Sequence, residues 1–257
     1  MAAVEFFSYY SNLFGDRWDG LLAALSGPVN YKELHFGEEL EPYFLDEASW
    51  FAAASLPIEP GMDVLDMCAA PGGKTLVLAG ALAGVGTLQS NDRSADRRTR
   101  LHRVINSSLP EAYRNIISVT GHDASRFGLH RKSSFDRILL DAPCSSERHV
   151  IESAAHLAEW TQKRISHLAQ QQGAMLAAAV DALRPGGMII YSTCALSSLE
   201  NDQVVAKILK KRTEKVRVLE MDPEFEGTDR TEFGLQMLPD RCAGRGPIYC
   251  ARLEKTE

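Results

Sequence analysis

The chain has 257 residues, 45% of them apolar, and a formal net charge of −6. That length and composition suit one full core with a short extension, and no apolar run reaches the length of a membrane-spanning helix, so no membrane contact is expected. Five widely spread cysteines without a C-x-x-C pair exclude a disulfide framework and a structural zinc site; the expectation is no metal and a reducing cytoplasm.

The opening Met-Ala-Ala-Val-Glu-Phe-Phe carries an acid early and no basic region, which reads as neither a secretory signal nor a transit peptide. Residues 1–56 are expected to form a largely helical N-terminal extension. Phe6-Phe7-Ser8-Tyr9-Tyr10 leads in, Trp18–Leu25 follows, and Asp46 caps a last helix reaching Leu56. Gly27-Pro28 and Glu41-Pro42 interrupt it. Residues 1–60 hold two basic and ten acidic residues, so the remainder is weakly positive. Such an acidic stretch suits docking of a protein or ribosomal partner.

From residue 57 to 257 the pattern alternates between strand and helix. Strands are expected at Met62–Met67, Gly86–Ser90, Asn115–Thr120, Phe135–Leu140 and Met188–Ser192. Helices are expected at Lys74–Leu82, Ala95–Ile105, Thr161–Leu183 and Leu199–Lys211, with two late strands at Val216–Leu219 and Ile248–Leu253. Repeated β-α units imply an α/β fold, a mostly parallel sheet with helices on both faces. Basic residues cluster at Arg93–Arg103 and Lys207–Arg217, as on solvated helix faces or nucleic-acid surfaces.

In open α/β sheets ligands bind beyond the carboxyl ends of the strands. The first such turn is Cys68-Ala69-Ala70-Pro71-Gly72-Gly73-Lys74-Thr75, whose small residues permit close approach of a ligand. Asp92 stands 20 residues after Gly72, where an acid binds the hydroxyls of a ribose. The layout suits an adenosine-bearing cofactor. Gly73-Lys74-Thr75 with Ile138–Asp141 also suggests a nucleotide-hydrolysing P-loop, but Cys68 occupies the place of its first glycine and Pro71 removes an amide.

Two cysteine loops follow later strands: Asp141-Ala142-Pro143-Cys144-Ser145-Ser146 and Tyr191-Ser192-Thr193-Cys194. If those strands are neighbours, both thiols face one crevice. Paired thiols beside such a cofactor suit methylation of cytosine carbon-5. A thiolate adds to carbon-6, carbon-5 becomes nucleophilic, and the thiolate later leaves. An acid such as Asp141 would hydrogen-bond the ring.

Asp66–Thr75, Asn91-Asp92, Asp141–Ser145 and Ser192-Thr193-Cys194 together resemble the motifs of the Sun-domain (Fmu-like) RNA cytosine-5 methyltransferases, over roughly residues 40–253. Glu147-Arg148-His149, Gly246-Pro247-Ile248-Tyr249 and the opening with Phe14-Gly15-Asp16 and Trp18 are most similar to the branch of the mitochondrial ribosomal-RNA enzyme. The resemblance implies a Rossmann-like class I S-adenosylmethionine-dependent methyltransferase fold and an RNA substrate, ribosomal RNA before transfer RNA. It implies that Cys68 to Lys74 wrap the methionine part of S-adenosylmethionine, that Asp92 with Arg97 nearby binds the ribose, and that Asp123 and Ala124 flank the adenine. Asp141 would sit between cofactor and cytosine, with Lys74 positioning it. It also orders the thiols, Cys194 as attacker and Cys144 in release, which spacing alone leaves open. Ala195 and Leu45 depart from the Ser and Gln that many members carry. A DNA methyltransferase, whose attacking thiol lies in the Pro-Cys segment, and a non-catalytic assembly factor are the remaining alternatives.

Overall fold

A computed structural model describes residues 2–257. Helices α1 (Ala2–Phe14) and α2 (Trp18–Leu25) precede a hairpin of β1 (Tyr31–Leu34) and β2 (Tyr43–Asp46), then α3 (Glu47–Ala54). The alternating part runs β3 (Asp63–Asp66), α4 (Gly73–Leu82), β4 (Thr87–Asn91), α5 (Ala95–Ser108), α6 (Glu111–Arg114), β5 (Ile117–Thr120), α7 (Phe127–His130) and β6 (Phe135–Asp141). Next come α8 (Glu147–Ile151), α9 (Ala154–Glu159), α10 (Gln162–Ala182), β7 (Leu183–Thr193) and α11 (Asp202–Lys211). Strands β8 (Val216–Leu219), β9 (Asp229–Arg230), β10 (Leu235–Met237) and β11 (Ile248–Lys255) close the chain.

The main sheet has nine strands in the order β5-β4-β3-β6-β7-β11-β10-β9, with β8 pairing β11. Strands β3 to β7 are mutually parallel, and β11 runs antiparallel to β7. From β3 the chain moves outward to β4 and β5, then returns to lay β6 on the other side of β3. That reversal opens a crevice at the carboxyl ends of β3 and β6, where both functional turns emerge. Alternate residues feed two cores: Val64, Leu139 and Ile190 join α3, α4 and α5, while Leu65, Ile138 and Tyr191 join α10 and α11. A third cluster packs Phe6, Tyr10 and Trp18 against Trp160, Ile165 and Leu196, so α1 and α2 are welded beside the thiol loops.

The stretch read as largely helical contains a hairpin. Its register sets Lys32 opposite Leu45 and Leu34 opposite Tyr43 on one face, and Tyr31 opposite Asp46 and Glu33 opposite Phe44 on the other. Leu34 and Leu45 are buried against α3 and α4, which leaves the second face outward. Four-residue strands are too short to show their period beside the helical signals around them. Asp46 does cap α3, its Oδ1 accepting the Ser49 amide at 2.8 Å. Strand β7 begins at Leu183 rather than Met188, because an irregularity in its pairing with β6 absorbs Arg184–Gly187. There Arg184 bridges Asp63 and Asp136, both at 2.7 Å. The short edge strands β9 and β10 carried no readable signal. Among the described residues no helix is long and apolar enough to cross a membrane.

Candidate active site

Asp66 ends β3 fully buried. Its Oδ2 accepts the Thr75 hydroxyl at 2.7 Å, while Oδ1 has no partner among the described residues. Burial pushes this carboxyl up to about 7 against the pull of the Thr75 bond. The turn that follows is shaped by packing. Gly72 has φ +125°, and a side chain at Gly73 would meet Leu45 Cδ1 and Tyr43 Cε1 at 2.7 Å. Glycine here lets the hairpin lie on the start of α4. Asp92 is buried after β4 and accepts the amides of Ala70 at 3.3 Å and Ser94 at 3.0 Å. Arg97 donates to the Ala70 carbonyl and lies 3.4 Å from Asp92, tying the first turn to the second. Asn91 donates to the carbonyls of Met67 and His122, aligning three strand ends.

These ends surround a cavity of about 460 Å³. Cys68, Asp92, Arg97, Asp123 and Ala124, all named from the sequence, line it. Ala69, Ala70, Pro71, Gly72, Gly73, Lys74 and Asp141 do not; Ala69 to Lys74 build the turn and helix start, and Asp141 lies toward the thiols. His122, Pro143 and Met175 line the cavity and were not foreseen. His122 adjoins Asp123 and was within reach of inspection, but Met175 sits mid-way along α10 with no local signal.

The pairing of β6 with β7 places Asp141 opposite Ser192, whose hydroxyl donates to Asp141 Oδ1 at 2.8 Å. Lys74 donates to Asp141 Oδ2, also at 2.8 Å. Burial works against the Lys74 charge, but Asp141 outweighs it and holds the ammonium above its ordinary range. Just beyond, Cys144 and Cys194 bring their sulfurs to 2.9 Å. The hydrogen bond to Cys194, then burial, raise the Cys144 thiol well above its usual range, so Cys144 keeps its proton. Cys68, buried near Asp66, Asp141 and Asp92, is likewise pushed up and stays protonated.

A buried polar network not singled out from the sequence braces both thiol loops. Glu147 accepts from the Tyr10 hydroxyl and the Leu196 amide, Glu200 accepts from the Ser145 amide and from Gln172, and the Ser145 hydroxyl lies within hydrogen-bond reach of both carboxyls. The network joins α1, the Cys144 loop and the segment after Cys194. Burial raises both carboxyls, Glu200 to about 7. A second cavity, about 280 Å³, is lined by Cys194 together with Tyr31, Asp46, Arg148 and His149. Ala195, one of the departures, is fully buried, and Leu45, the other, packs against the hairpin side of α4.

Residues 53–254 match the family described as 16S rRNA methyltransferase RsmB/F. The chain belongs to this family. Among its relatives, the mouse mitochondrial tRNA (cytosine(34)-C(5))-methyltransferase is 33% identical over 222 residues, covering 83% of this chain and 63% of that protein. The 5-cytosine rRNA methyltransferase NSUN4 of Xenopus laevis is 38% identical over 232 residues, covering 83% and 56%. The crystal structure of NSun6 from Pyrococcus horikoshii with SFG superposes with a TM-score of 0.72 at 28% identity, over 86% of this chain and 54% of that one. The chain thus spans about three fifths of the length of the relatives it matches first.

RsmB/F proteins form an S-adenosylmethionine-dependent RNA cytosine-5 methyltransferase family. The first cavity fits that cofactor. Its volume lies within the range of small-ligand sites, about 300–1,000 Å³. A buried carboxylate, Asp92, can accept from ribose hydroxyls, and Ala124, Pro143 and Met175 offer apolar surface for a purine. Among the described residues no cluster of side chains could hold a metal ion.

Proposed function

We propose that this chain methylates carbon-5 of a cytosine in RNA, with Cys194 as nucleophile, Cys144 in product release, and Asp141 and Lys74 as the polar pair beside the base. One observation carries the reading: two thiols in contact at adjacent strand ends, one of them lining a cavity, on the same sheet edge as a separate cavity suited to the cofactor. Asp92, Arg97, Asp123, Ala124 and the turn from Cys68 to Lys74 would hold S-adenosylmethionine, which when bound supplies an electrophilic methyl group.

The chain's own part follows from charge and protons. The two sulfurs lie 2.9 Å apart, close enough for one thiol to hydrogen-bond the other, and the resemblance to the family orders them, with Cys194 as the attacking thiolate. That sulfur adds to carbon-6 of the cytosine, forming a carbon–sulfur bond and moving the ring electrons to carbon-5. Asp141, fixed by Lys74 and Ser192, faces the ring and hydrogen-bonds it as charge develops. Once carbon-5 carries the methyl group, its proton passes to a water molecule, the electrons of that carbon–hydrogen bond restore the ring double bond, and the carbon–sulfur bond breaks with its electron pair on the sulfur, which leaves as thiolate in contact with Cys144. The target must be unstacked to reach the thiol, so opened or single-stranded RNA is favoured.

Ribosomal RNA is the preferred substrate, because both the family description and the NSUN4 relative name it. Transfer RNA is the second reading, favoured by the mouse relative. The division into an N-terminal extension, residues 1–56, and a catalytic domain, 57–257, a cytoplasmic setting and a protein or ribosomal partner for the acidic extension belong to the same proposal. The test is bisulfite sequencing of total RNA with and without the gene, beside methylation of unmodified small-subunit ribosomal RNA and transfer RNA transcripts by the purified chain. A cytosine in ribosomal RNA that loses its methyl group with the gene supports the reading. Loss confined to transfer RNA turns it to the second, and no loss in either overturns it.

A further inference from the structure

The cavity containing Cys194 has walls that the reaction itself leaves unused. On the hairpin side stands Tyr31. The β1–β2 register puts Tyr31 and Phe44 on the same outward face, and both rings are open to solvent, Tyr31 at 59% and Phe44 at 58%. By contrast Phe6, Tyr10, Trp18, Tyr191 and Tyr249 are buried. A ring left exposed at the mouth of a base-accepting cavity is the kind of surface on which an unstacked nucleobase lies.

Arg148 lines the same cavity. Its Nε and Nη2 are buried and have no hydrogen-bond partner among the described residues. Guanidinium N–H groups withdrawn from water without an acceptor cost free energy, and a phosphate oxygen meets their planar geometry. Two carboxylates share the cavity. Asp46 already accepts the Ser49 amide as the cap of α3, and burial raises its carboxyl above the ordinary range, an effect that the Arg148 and Lys74 charges oppose. Glu152 lies on the open rim, 3.8 Å from His149.

We infer that Tyr31 and Arg148 seat the nucleotide adjoining the target cytosine, its base stacked on the Tyr31 ring and its phosphate on the Arg148 guanidinium. The inference rests on the RNA methyltransferase reading and names the substrate contacts of that same site. It requires the RNA to cross the hairpin face, with the target base turned in toward Cys194.

Two measurements test it. In steady-state methylation of a small-subunit ribosomal RNA transcript, Tyr31→Ala raises KM for RNA on the order of tenfold, the size of one base–aromatic stack. Tyr31→Phe, which keeps the ring, restores the wild-type KM, and cofactor affinity is the same in both. Arg148→Gln lowers the slope of log Kd against log salt by about one. Fluorescence anisotropy with a labelled single-stranded oligocytidylate gives the same comparison without turnover; replacing nucleotides by abasic residues removes the difference between Tyr31→Ala and wild type. Wild-type RNA affinity in Tyr31→Ala, or a wild-type salt slope in Arg148→Gln, overturns the inference even where the wild-type chain methylates the transcript. If the wild-type chain makes no 5-methylcytosine, the parent reading fails, and the oligocytidylate measurement still decides whether these walls hold a nucleotide.

Discussion

The cavity at the ends of β3 to β6 and the cavity containing Cys194 are built in opposite ways. The first is lined from the ends of β3, β4, β5 and β6 and the short segments that follow them, with α5 adding Arg97 and α10 adding Met175. The second takes Tyr31 from the hairpin, Asp46 and Ser49 from the α3 cap, Arg148 and His149 from α8, Cys194 from the end of β7, and Gly246 and Pro247 from the last loop. One is a property of a strand–turn–helix unit repeated along the chain. The other exists only once distant loops have been packed together. A small cofactor can be held by local turns, whereas the wall facing a larger substrate has to be assembled.

The largest effects should come at the boundary between the two. Cys194→Ala is expected to abolish methylation and to leave no protein–RNA adduct on a denaturing gel. Cys144→Ala is expected to accumulate that adduct, because addition proceeds while release stalls. The reverse pattern would swap the two roles. Next, Asp92→Ala should weaken S-adenosylhomocysteine binding by calorimetry on the order of tenfold or more, the loss of hydrogen bonds to a charged group, while oligocytidylate affinity stays put. If RNA affinity falls as far, the two cavities are not separable.

Smaller effects probe how the assembled side is braced. Gly73→Ala forces a methyl group against Leu45 and Tyr43 and should destabilise the protein by about 1–3 kcal/mol in urea unfolding, as overpacking does. An unchanged midpoint would mean that the hairpin is free to move off α4. The smallest effect concerns pH. Burial holds the Glu200 carboxyl at about 7, against 4.5 ordinarily. Between those values the folded chain keeps a proton that the unfolded chain has released. This contribution to stability is therefore full below pH 4.5 and is lost as pH rises through about 7. Glu200→Gln should flatten the fall of Tm across that window; a slope as steep as wild type would show that Glu200 does not titrate there.

Much of the site was legible because its residues are local. Cys68 to Thr75, Asp92, Asp141, Cys144 and Cys194 each stand at the carboxyl end of a strand whose apolar run is visible in the chain. The sheet rule that puts such ends on one edge does the rest. The glycines were read for ligand access, and the structure gives them a further task. Gly73 makes room for Leu45 and Tyr43, residues with no sequence signal linking them to that turn. The hairpin escaped because a four-residue alternation is outweighed by the helical patterns on either side.

By itself, then, the sequence determined the alternation of the five parallel strands with α4, α5, α10 and α11, the small-residue turn after β3 and the presence of two thiols at strand ends, since each depends on neighbouring residues and their period. Only the tertiary structure decided that the thiols touch, that Glu147 and Glu200 brace them through Ser145, and that Tyr31 and Arg148 share a cavity with Cys194. These are contacts between segments far apart in the chain. Their distances depend on how the sheet, α1 and the hairpin pack, and no local pattern encodes that packing.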